Sequence, residues 1–438
     1  APRHVRSRGV ATHHPMTPSV ADALSGPPNR NRSLPRPQRI VLITLTLAVG
    51  YFTARHAPDG LNSAPVGVEP KEIAVAAPPR ATSASAAPAA PQFAESWVSP
   101  SGHMRSAHSS AICALPSGDM LAVWYGGTRE GATDVALFTS RLKRGETKWT
   151  VPVLAVDRII AQDELDRKIK KVGNAVIFPD RTGTLWMVYV SVSMGGWSGS
   201  ALNVKTSLDE GQTWGASRRL TLNPFLNIST LVRNKPIYAS DGRIGLPVYH
   251  ELALKFPQIL WITPGPRGTV QEYRMRNIAA ETGLLQPTLV PLDDDRVLML
   301  LRDGRPERRM HTAISDDNGW TWSKAVPSEL PNPDAAVDGL RLRDGRILLV
   351  YNHAQHGREN LRLAVSADSG RSWQAGPVLE AAAGREYSYP YLVEDRGGQI
   401  HLTYTWQRER IKHAAFNVAW LDRQMLAATG GEPEAILR

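Results

Sequence analysis

The chain has 438 residues, one cysteine and a formal net charge of +10 at pH 7. A single cysteine excludes an intrachain disulfide, so stability must come from packing. Residues 1–60 hold eight arginines against two aspartates, a net charge of +6 that leaves +4 for all other residues. Because most of the excess lies outside the predicted folded part, we expect no nucleic-acid partner.

The N-terminal segment has the pattern of an export signal. Several arginines precede the apolar run 40–52, and no acidic residue lies between residue 30 and the end of that run. We predict a basic disordered segment over 1–39, a signal peptide or signal anchor over 40–54, and an alanine- and proline-rich linker over 55–95. Since the basic flank stays in the cytoplasm, we expect the next domain on the periplasmic or extracellular side, secreted or anchored to the membrane.

Three octapeptides, at 207–214, 315–322 and 366–373, share the pattern Ser-x-Asp-x-Gly-x-Thr/Ser-Trp. This pattern is typical of a hairpin turn in which the Asp accepts backbone N–H bonds, the Gly supplies a positive φ and the Trp packs underneath. We expect these boxes to be structural, not catalytic. Their recurrence predicts a chain built from repeated β units.

A second signal counts the units. Stretches with an apolar run, a Gly/Asp turn and a second β-rich run recur roughly every 50 to 65 residues, a spacing that suits a four-stranded propeller blade. We predict an all-β, six-bladed β-propeller over 96–425 and a C-terminal tail over 426–438. The stretches are 111–124, 175–189, 231–249, 289–301, 340–351 and 391–404.

Functional side chains of a propeller gather where the innermost strands converge on one face. Residues before the predicted turns are polar or aromatic at positions where a purely structural strand would carry Val or Leu. A cleft lined by several arginines is expected to bind a small anion, most naturally a carboxylate held in a bidentate manner. The candidate substrate-binding residues are Asn174, Arg233, Gln286 and Tyr389 on inner strands, and Arg129, His250, Glu251, Arg302 and Arg358 after the second strands.

From about residue 107 to residue 416 the chain resembles the sialidase superfamily, in particular its bacterial branch of neuraminidase-like proteins with Asp-box repeats. Arg302 in a Leu-Arg-Asp-Gly run and Arg358 in a Gly-Arg-Glu-Asn run match two arginines of the family's carboxylate clamp. Tyr387 in a Glu-Tyr-Ser-Tyr-Pro run matches the nucleophile, and Asp134 the acid/base. The resemblance implies a glycosidase in which arginines orient a sialic acid carboxylate and a neutral tyrosine attacks the anomeric carbon.

Two positions depart from the family pattern. His108 stands where the first inner strand of a sialidase carries an arginine, and Gln286 stands near the place of the glutamate that assists the tyrosine. An unperturbed tyrosine has a pKa of about 10, so a base must take its proton. The candidates are His108 and Asp134 as acid/base, and Glu386, Glu251 or Glu281 as the base for the tyrosine.

The sequence thus predicts an exported, sialidase-like glycoside hydrolase that removes a terminal acidic sugar from glycans. Alternatively, His108 and a tyrosine beside arginines suit β-elimination, which would make the protein a uronate-directed polysaccharide lyase. A third alternative is a non-catalytic carbohydrate-binding propeller, because aromatic rings stack on sugars. No metal-ligand or phosphate-binding motif is present, so we expect no cofactor, and we expect a monomer.

Overall fold

The computed structural model describes residues 90–223, 227–252, 254–278 and 282–430. The predicted disordered segment 1–39, the predicted signal segment 40–54, nearly all of the predicted linker and the residues after 430 lie outside that part of the chain, as does Glu281. Among the described residues, no helix combines the length and apolar character needed to cross a membrane.

The described strands form six antiparallel sheets, and each sheet is one blade. In the first five blades the chain runs outward from the innermost strand, and the first strands of neighbouring blades contact one another around the centre. The sixth blade takes its outermost strand from the beginning of the domain, β1 (Phe93–Trp97). The prediction of an all-β, six-bladed propeller is confirmed.

Blades 1 to 3 are joined by short loops and one helix, α1 (Arg158–Leu165), which follows blade 1. Blade 1 consists of β2 (Ser106–Ala114), β3 (Met120–Gly127), β4 (Ala136–Leu142) and β5 (Val153–Val156). Blade 2 consists of β6 (Lys171–Pro179), β7 (Leu185–Val192), β8 (Ser200–Ser207) and β9 (Arg218–Arg219). Blade 3 consists of β10 (Thr230–Val232), β11 (Ile237–Tyr238), β12 (Ile244–His250), β13 (Phe256–Pro264) and β14 (Val270–Asn277), with both β10 and β11 paired to β12.

Blades 4 to 6 repeat the arrangement, and helix α2 (Val418–Gly430) follows the last strand. Blade 4 consists of β15 (Leu284–Pro291), β16 (Val297–Asp303), β17 (Arg309–Ser315) and β18 (Val326–Pro331). Blade 5 consists of β19 (Asp338–Arg341), β20 (Ile347–Tyr351), β21 (Asn360–Ser366) and β22 (Gln374–Ala381). Blade 6 consists of β23 (Tyr387–Glu394), β24 (Ile400–Trp406), β25 (Arg410–Phe416) and β1.

Strand β1 closes the ring by pairing with β25 over its whole length. The ring of Phe93 stacks on Trp420 of α2, with centroids 4.5 Å apart, and the Arg410 guanidinium lies 3.7 Å above the ring of Trp97. These contacts join the beginning and the end of the domain. Strand β1 thus begins at Phe93, before residue 96, and helix α2 extends to Gly430, past residue 425.

The three octapeptides form the turns between the third and fourth strands of blades 2, 4 and 5. In the second box, Asp317 accepts hydrogen bonds from the Ser315 hydroxyl (2.8 Å) and from the backbone N–H groups of Trp320 (3.0 Å) and Thr321 (2.7 Å). Gly319 has a φ of +88°, a conformation that glycine adopts without strain. The boxes thus fix hairpins on the face opposite to the ends of the second strands, which leaves that other face for the site.

Candidate active site

The inner strands of blades 1, 2, 4 and 6 are each interrupted by a β-bulge near their first residues. The bulged residues Ser109, Gln286 and Tyr389 adopt left-handed φ angles of 53°, 49° and 54°. Such a backbone is unfavourable for a residue with a side chain, and a bulge redirects that side chain. The bulges occupy equivalent positions in their blades, so they direct polar groups toward one level of the centre.

Tyr249, at the end of the second strand of blade 3, joins the bulges of blades 2 and 4. Its hydroxyl accepts hydrogen bonds from Asn174 Nδ2 (3.4 Å) and Gln286 Nε2 (3.2 Å). All three side chains are buried. Burial raises the pKa of Tyr249, so its phenol stays protonated and holds the inner ends of three blades together.

Arg302 leaves the second strand of blade 4 and enters the centre with fixed partners. Its Nε donates to Asp334 Oδ1 (2.6 Å) and its Nη1 donates to Gln286 Oε1 (3.0 Å). Burial tends to raise the pKa of Asp334, but Arg302 and Arg308 outweigh that effect and hold the pKa below its ordinary value. Asp334 is therefore an anion. Within the described residues, these hydrogen bonds use two of the five N–H donors of Arg302 and leave the others for a bound anion.

Glu386 connects two further arginines. Its carboxylate accepts from Arg358 Nη1 (3.3 Å) and Arg408 Nε (2.5 Å), and Arg408 also pairs with Glu130 from blade 1. Burial tends to raise the pKa of Glu386, but the hydrogen bond from Arg408 and the charge of Arg358 lower it below the ordinary value. Glu386 is therefore occupied in positioning cations, as Asp334 is.

The phenol of Tyr389 lies among these guanidinium groups. Its ring centroid is 5.2 Å from the Cζ of Arg233 and 5.6 Å from the Cζ of Arg358. Burial tends to raise the pKa of Tyr389, but Arg302 and Arg358 outweigh that effect, so the pKa lies below its ordinary value. Tyr389 therefore releases its proton more readily than a tyrosine in water.

The strand that carries Tyr389 is held from below by buried charges. Arg233 Nη2 donates to the Pro390 carbonyl (2.9 Å), and the Leu392 N–H donates to Asp338 Oδ2 (2.6 Å). Asp338 is fully buried and forms an ion pair with Lys235 (2.6 Å). Blades 3, 5 and 6 are thus tied together directly beneath the bulge.

His108 lies against the other side of Tyr389. The two ring centroids are 4.5 Å apart, and Tyr125 lies 5.6 Å from the imidazole. The His108 side chain is buried, and neither ring nitrogen has a hydrogen-bond partner in the described part of the chain. Burial, together with Arg408 and Arg358, holds the pKa of His108 well below its usual 6.5, so the imidazole is neutral and a weak base.

Tyr387, which the sequence comparison favoured as nucleophile, lies elsewhere. Its ring is buried in the hydrophobic cluster of blades 5 and 6 with Leu361 and Leu402. Burial and the charge of Glu380 raise its pKa. The bulge turns Tyr389, and not Tyr387, toward the arginines.

Three other predicted residues do not join the arginines. Asp134 is exposed, and its carboxylate accepts from the Thr128 N–H and hydroxyl, both at 3.0 Å, so that it closes its own loop. Arg129 is exposed on the same loop, and His250 stacks on Phe256 with centroids 4.8 Å apart. The structure therefore brings together the remaining predicted residues: His108, Asn174, Arg233, Gln286, Arg302, Arg358, Glu386 and Tyr389, with Glu251 at their edge.

Glu251 and Glu130 are the carboxylates at the edge of this group. Burial raises the pKa of Glu251, although Lys255 and Arg302 oppose the shift. Glu130 pairs with Arg408 and acts electrostatically on Tyr389 and Tyr125. Arg408, Glu130 and Tyr249 were absent from the predicted site. Arg408 follows the second strand of blade 6 as Arg302 ends that of blade 4, so blade-by-blade alignment would have selected it.

No group of three or more His, Cys, Asp or Glu side chains in the described residues is arranged to hold a metal ion.

The family model of the BNR repeat-like domain matches residues 118–402. The chain belongs to the BNR repeat-like family. The matched segment of this BNR repeat-like protein runs from the first turn of blade 1 to the second strand of blade 6 and contains all three octapeptides. No curated protein sequence was found to match the chain.

Solved structures with the same fold include several sialidases. The Hadza microbial sialidase Hz136 is 16% identical, with a TM-score of 0.63 and coverage of 75% of this chain and 69% of its own. A protein of unknown function from Dyadobacter fermentans is 15% identical, with a TM-score of 0.58 and coverage of 74% and 99%. The intramolecular trans-sialidase from Ruminococcus gnavus is 15% identical, with a TM-score of 0.56 and coverage of 73% and 96%. At these identities the likeness concerns the fold: this BNR repeat-like protein has a sialidase-like propeller.

Proposed function

We propose that this BNR repeat-like protein is an exported glycoside hydrolase that removes a terminal acidic sugar from a glycan. The observation that carries the proposal is the position of Tyr389 among Arg233, Arg302 and Arg358. Arginines oriented by fixed anions are suited to a planar carboxylate, because each guanidinium presents N–H donors in a rigid fork. A sialic acid or a similar acidic sugar has such a group beside the anomeric carbon or on the ring.

The binding step of the proposal uses the donors that the protein leaves free. Arg302 spends Nε and Nη1 on Asp334 and Gln286, and Arg358 spends its two terminal nitrogens on Glu386 and the Asp334 carbonyl. The Nε of Arg233 is buried without a hydrogen-bond partner in the described part of the chain. A bound carboxylate would accept hydrogen bonds from Arg233 Nε and from the remaining N–H groups of Arg302 and Arg358. It would thereby place the anomeric carbon near the phenol of Tyr389.

The chemical step of the proposal assigns the nucleophile to Tyr389. In the first step an acid/base carboxylate takes the proton of the phenol, the phenol oxygen bonds to the anomeric carbon as the bond to the leaving oxygen breaks, and the carboxylate passes the proton to that oxygen. Water then attacks the glycosyl-tyrosine, and the same carboxylate moves a proton from the water to the tyrosine oxygen as the acidic sugar is released. Because Asp134 is hydrogen-bonded to Thr128, we assign the acid/base role to Glu130. This carboxylate belongs to the same loop, and its charge acts on Tyr389.

His108 has a different part in this proposal. A neutral imidazole at position 108, in place of a further cation, keeps the positive charge around Tyr389 lower, and the depressed pKa of His108 makes it a poor base. Elimination from a uronate with His108 as base is therefore disfavoured relative to hydrolysis.

The proposal is tested by incubating the full chain with a fluorogenic sialoside and, in parallel, with uronic-acid oligosaccharides. Release of the fluorophore or of a saturated terminal acidic sugar supports hydrolysis. Ultraviolet absorbance of an unsaturated uronate would instead establish elimination. Binding of these sugars without any product would leave the carbohydrate-binding alternative and would overturn the enzymatic proposal.

A further inference from the structure

A lysine and a tryptophan form a wall beside the site, on the side of blade 2. Lys171 is the first residue of the inner strand β6, and its Nζ lies 3.8 Å above the ring of Trp197. Trp197 comes from the loop between β7 and β8 and reaches inward to the inner strand, since a Cβ on Gly173 would meet its ring at 2.4 Å. Gly173 directly precedes the bulged Asn174, so this wall adjoins the site.

The wall is positively charged and unbalanced. Lys170 and Arg129 are both exposed. Lys171 reaches the loop that carries Arg129, since a Cβ on Gly131 would lie 3.2 Å from its Nζ. Burial lowers the pKa of Lys171, and the charges of Lys170 and Arg129 lower it further. In the described part of the chain no carboxylate forms an ion pair with Lys171. The charge of Glu130 favours the protonated form of Lys171, but the Glu130 carboxylate is already paired with Arg408.

Cations that repel one another are stabilised when an anion binds between them. An indole ring next to them supplies a flat apolar surface of the kind on which sugar rings stack. The loop that contains Glu130 also contains Arg129, so the acid proposed for the leaving oxygen and one of these cations are neighbours in the chain. The second anion would therefore belong to the sugar on the leaving side of the scissile bond.

We propose that Lys171 and Trp197, with Lys170 and Arg129 at the rim, form a second subsite that binds the acidic group of the sugar next to the cleaved one. The preferred substrate class is then a glycan with consecutive acidic sugars, not a single acidic sugar capping a neutral chain. This inference rests on the proposed function, because the arginines around Tyr389 must hold the first acidic sugar.

The test compares affinities for matched probes that carry one or two acidic sugars. Titration calorimetry is performed with the full chain carrying Tyr389→Phe, so that no probe is consumed. The probes are an α2,8-linked disialic acid against 3′-sialyllactose, and a digalacturonate against a galacturonosyl-galactose. We expect the two-acid probe of one pair to bind about tenfold more tightly, and Lys171→Met to remove most of that ratio, because one charge-assisted contact is lost.

Two further variants separate the role of the charge from effects on folding. Lys171→Arg retains the cation and is expected to retain the ratio. Lys143→Met removes the same charge from an exposed residue in the turn between β4 and β5, on the opposite face, and is expected to leave the ratio intact. Added salt should reduce the ratio in the parent protein more than in Lys171→Met.

Equal affinity for one-acid and two-acid probes, or an unchanged ratio in Lys171→Met, would overturn the second subsite while the proposed function stands. If no probe of either pair binds, the proposed function fails and the second subsite fails with it. The two failures are therefore distinguishable in one series of titrations.

Discussion

The histidine at the closure of the ring makes the stability of the propeller depend on pH. His413 on β25 is buried, and its Nδ1 is within hydrogen-bonding distance of the Ser96 hydroxyl on β1 (3.0 Å) and Trp149 Nε1 in blade 1 (3.4 Å). Its Nε2 shares a hydrogen bond with His401 Nδ1 (3.0 Å), and the other nitrogen of His401 lies 3.6 Å from Asp395. The indole N–H of Trp149 is shared between the Ser96 hydroxyl (3.2 Å) and Nδ1 of His413, and a proton on that Nδ1 would break the second contact.

The magnitude follows from the shifted pKa. Burial, reinforced by His401, lowers the pKa of His413 from 6.5 to about 3. The unfolded chain therefore takes up a proton below pH 6.5 that the folded chain rejects, so stability is full above that pH and falls as the pH falls toward the folded-state pKa. At about 1.4 kcal/mol per pH unit, the loss from this one group is about 2 kcal/mol between pH 6.5 and pH 5.

The assay is equilibrium urea unfolding of the parent protein and His413→Gln at several pH values in this window. Gln retains one donor and one acceptor but does not titrate. We expect the free energy of unfolding of the parent to fall more steeply than that of the variant, with a difference of about 2 kcal/mol accumulated over the window. Carboxylates titrate mostly below this window, and the other histidines are common to both proteins. Parallel pH dependences would refute the reasoning.

Three further predictions concern the site, the ring closure and the boxes. Arg302→Met should raise KM for acidic substrates about tenfold or more. It should also shift the pH profile of kcat to higher pH, because the phenol of Tyr389 loses a neighbouring cation and its pKa rises. An unshifted profile would contradict the electrostatic account of the site. A chain that begins at Ser96 instead of Ala90 should lose about 2 to 4 kcal/mol of stability, because it lacks three of the five residues of β1, including Phe93, and thermal unfolding measures this. Asp317→Ala should cost about 1 to 3 kcal/mol with kcat/KM unchanged, since its hydrogen bonds lie on the opposite face; reduced kcat/KM in a folded protein would give the box a part in function.

The repeat could be predicted from the sequence because it depends on local chemistry. An Asp, a Gly and a Trp at fixed offsets make a hairpin wherever they occur, and all three octapeptides form one. Arg302 and Arg358 were found for a similar reason, since Arg302 lies at the end of a second strand and Arg358 lies in the loop that follows one. Strand alternation and turn spacing are sufficient to place such residues on one face.

The choice between two tyrosines could not be made in this way. Tyr387 and Tyr389 have the same parity in the strand, so regular alternation would send both to one side. The bulge between Ser388 and Tyr391 breaks the alternation and turns Tyr389 alone toward the centre. The bulges of blades 4 and 6 share a sequence feature, since Gln286 and Tyr389 each precede a proline. This feature indicates a bulge only when the two blades are aligned with each other.

The central claim is that Tyr389 is the nucleophile of an acidic-sugar hydrolase, and the sequence provides a matched control two residues away. The decisive measurement is the turnover of whichever acidic-sugar substrate the parent cleaves, by the full chain carrying Tyr389→Phe and, separately, Tyr387→Phe. We expect Tyr389→Phe to lower kcat by at least about a hundredfold and Tyr387→Phe to retain kcat within a few fold, because only the first variant loses the attacking oxygen. Full activity of Tyr389→Phe, or loss of activity confined to a folded Tyr387→Phe, would contradict the account.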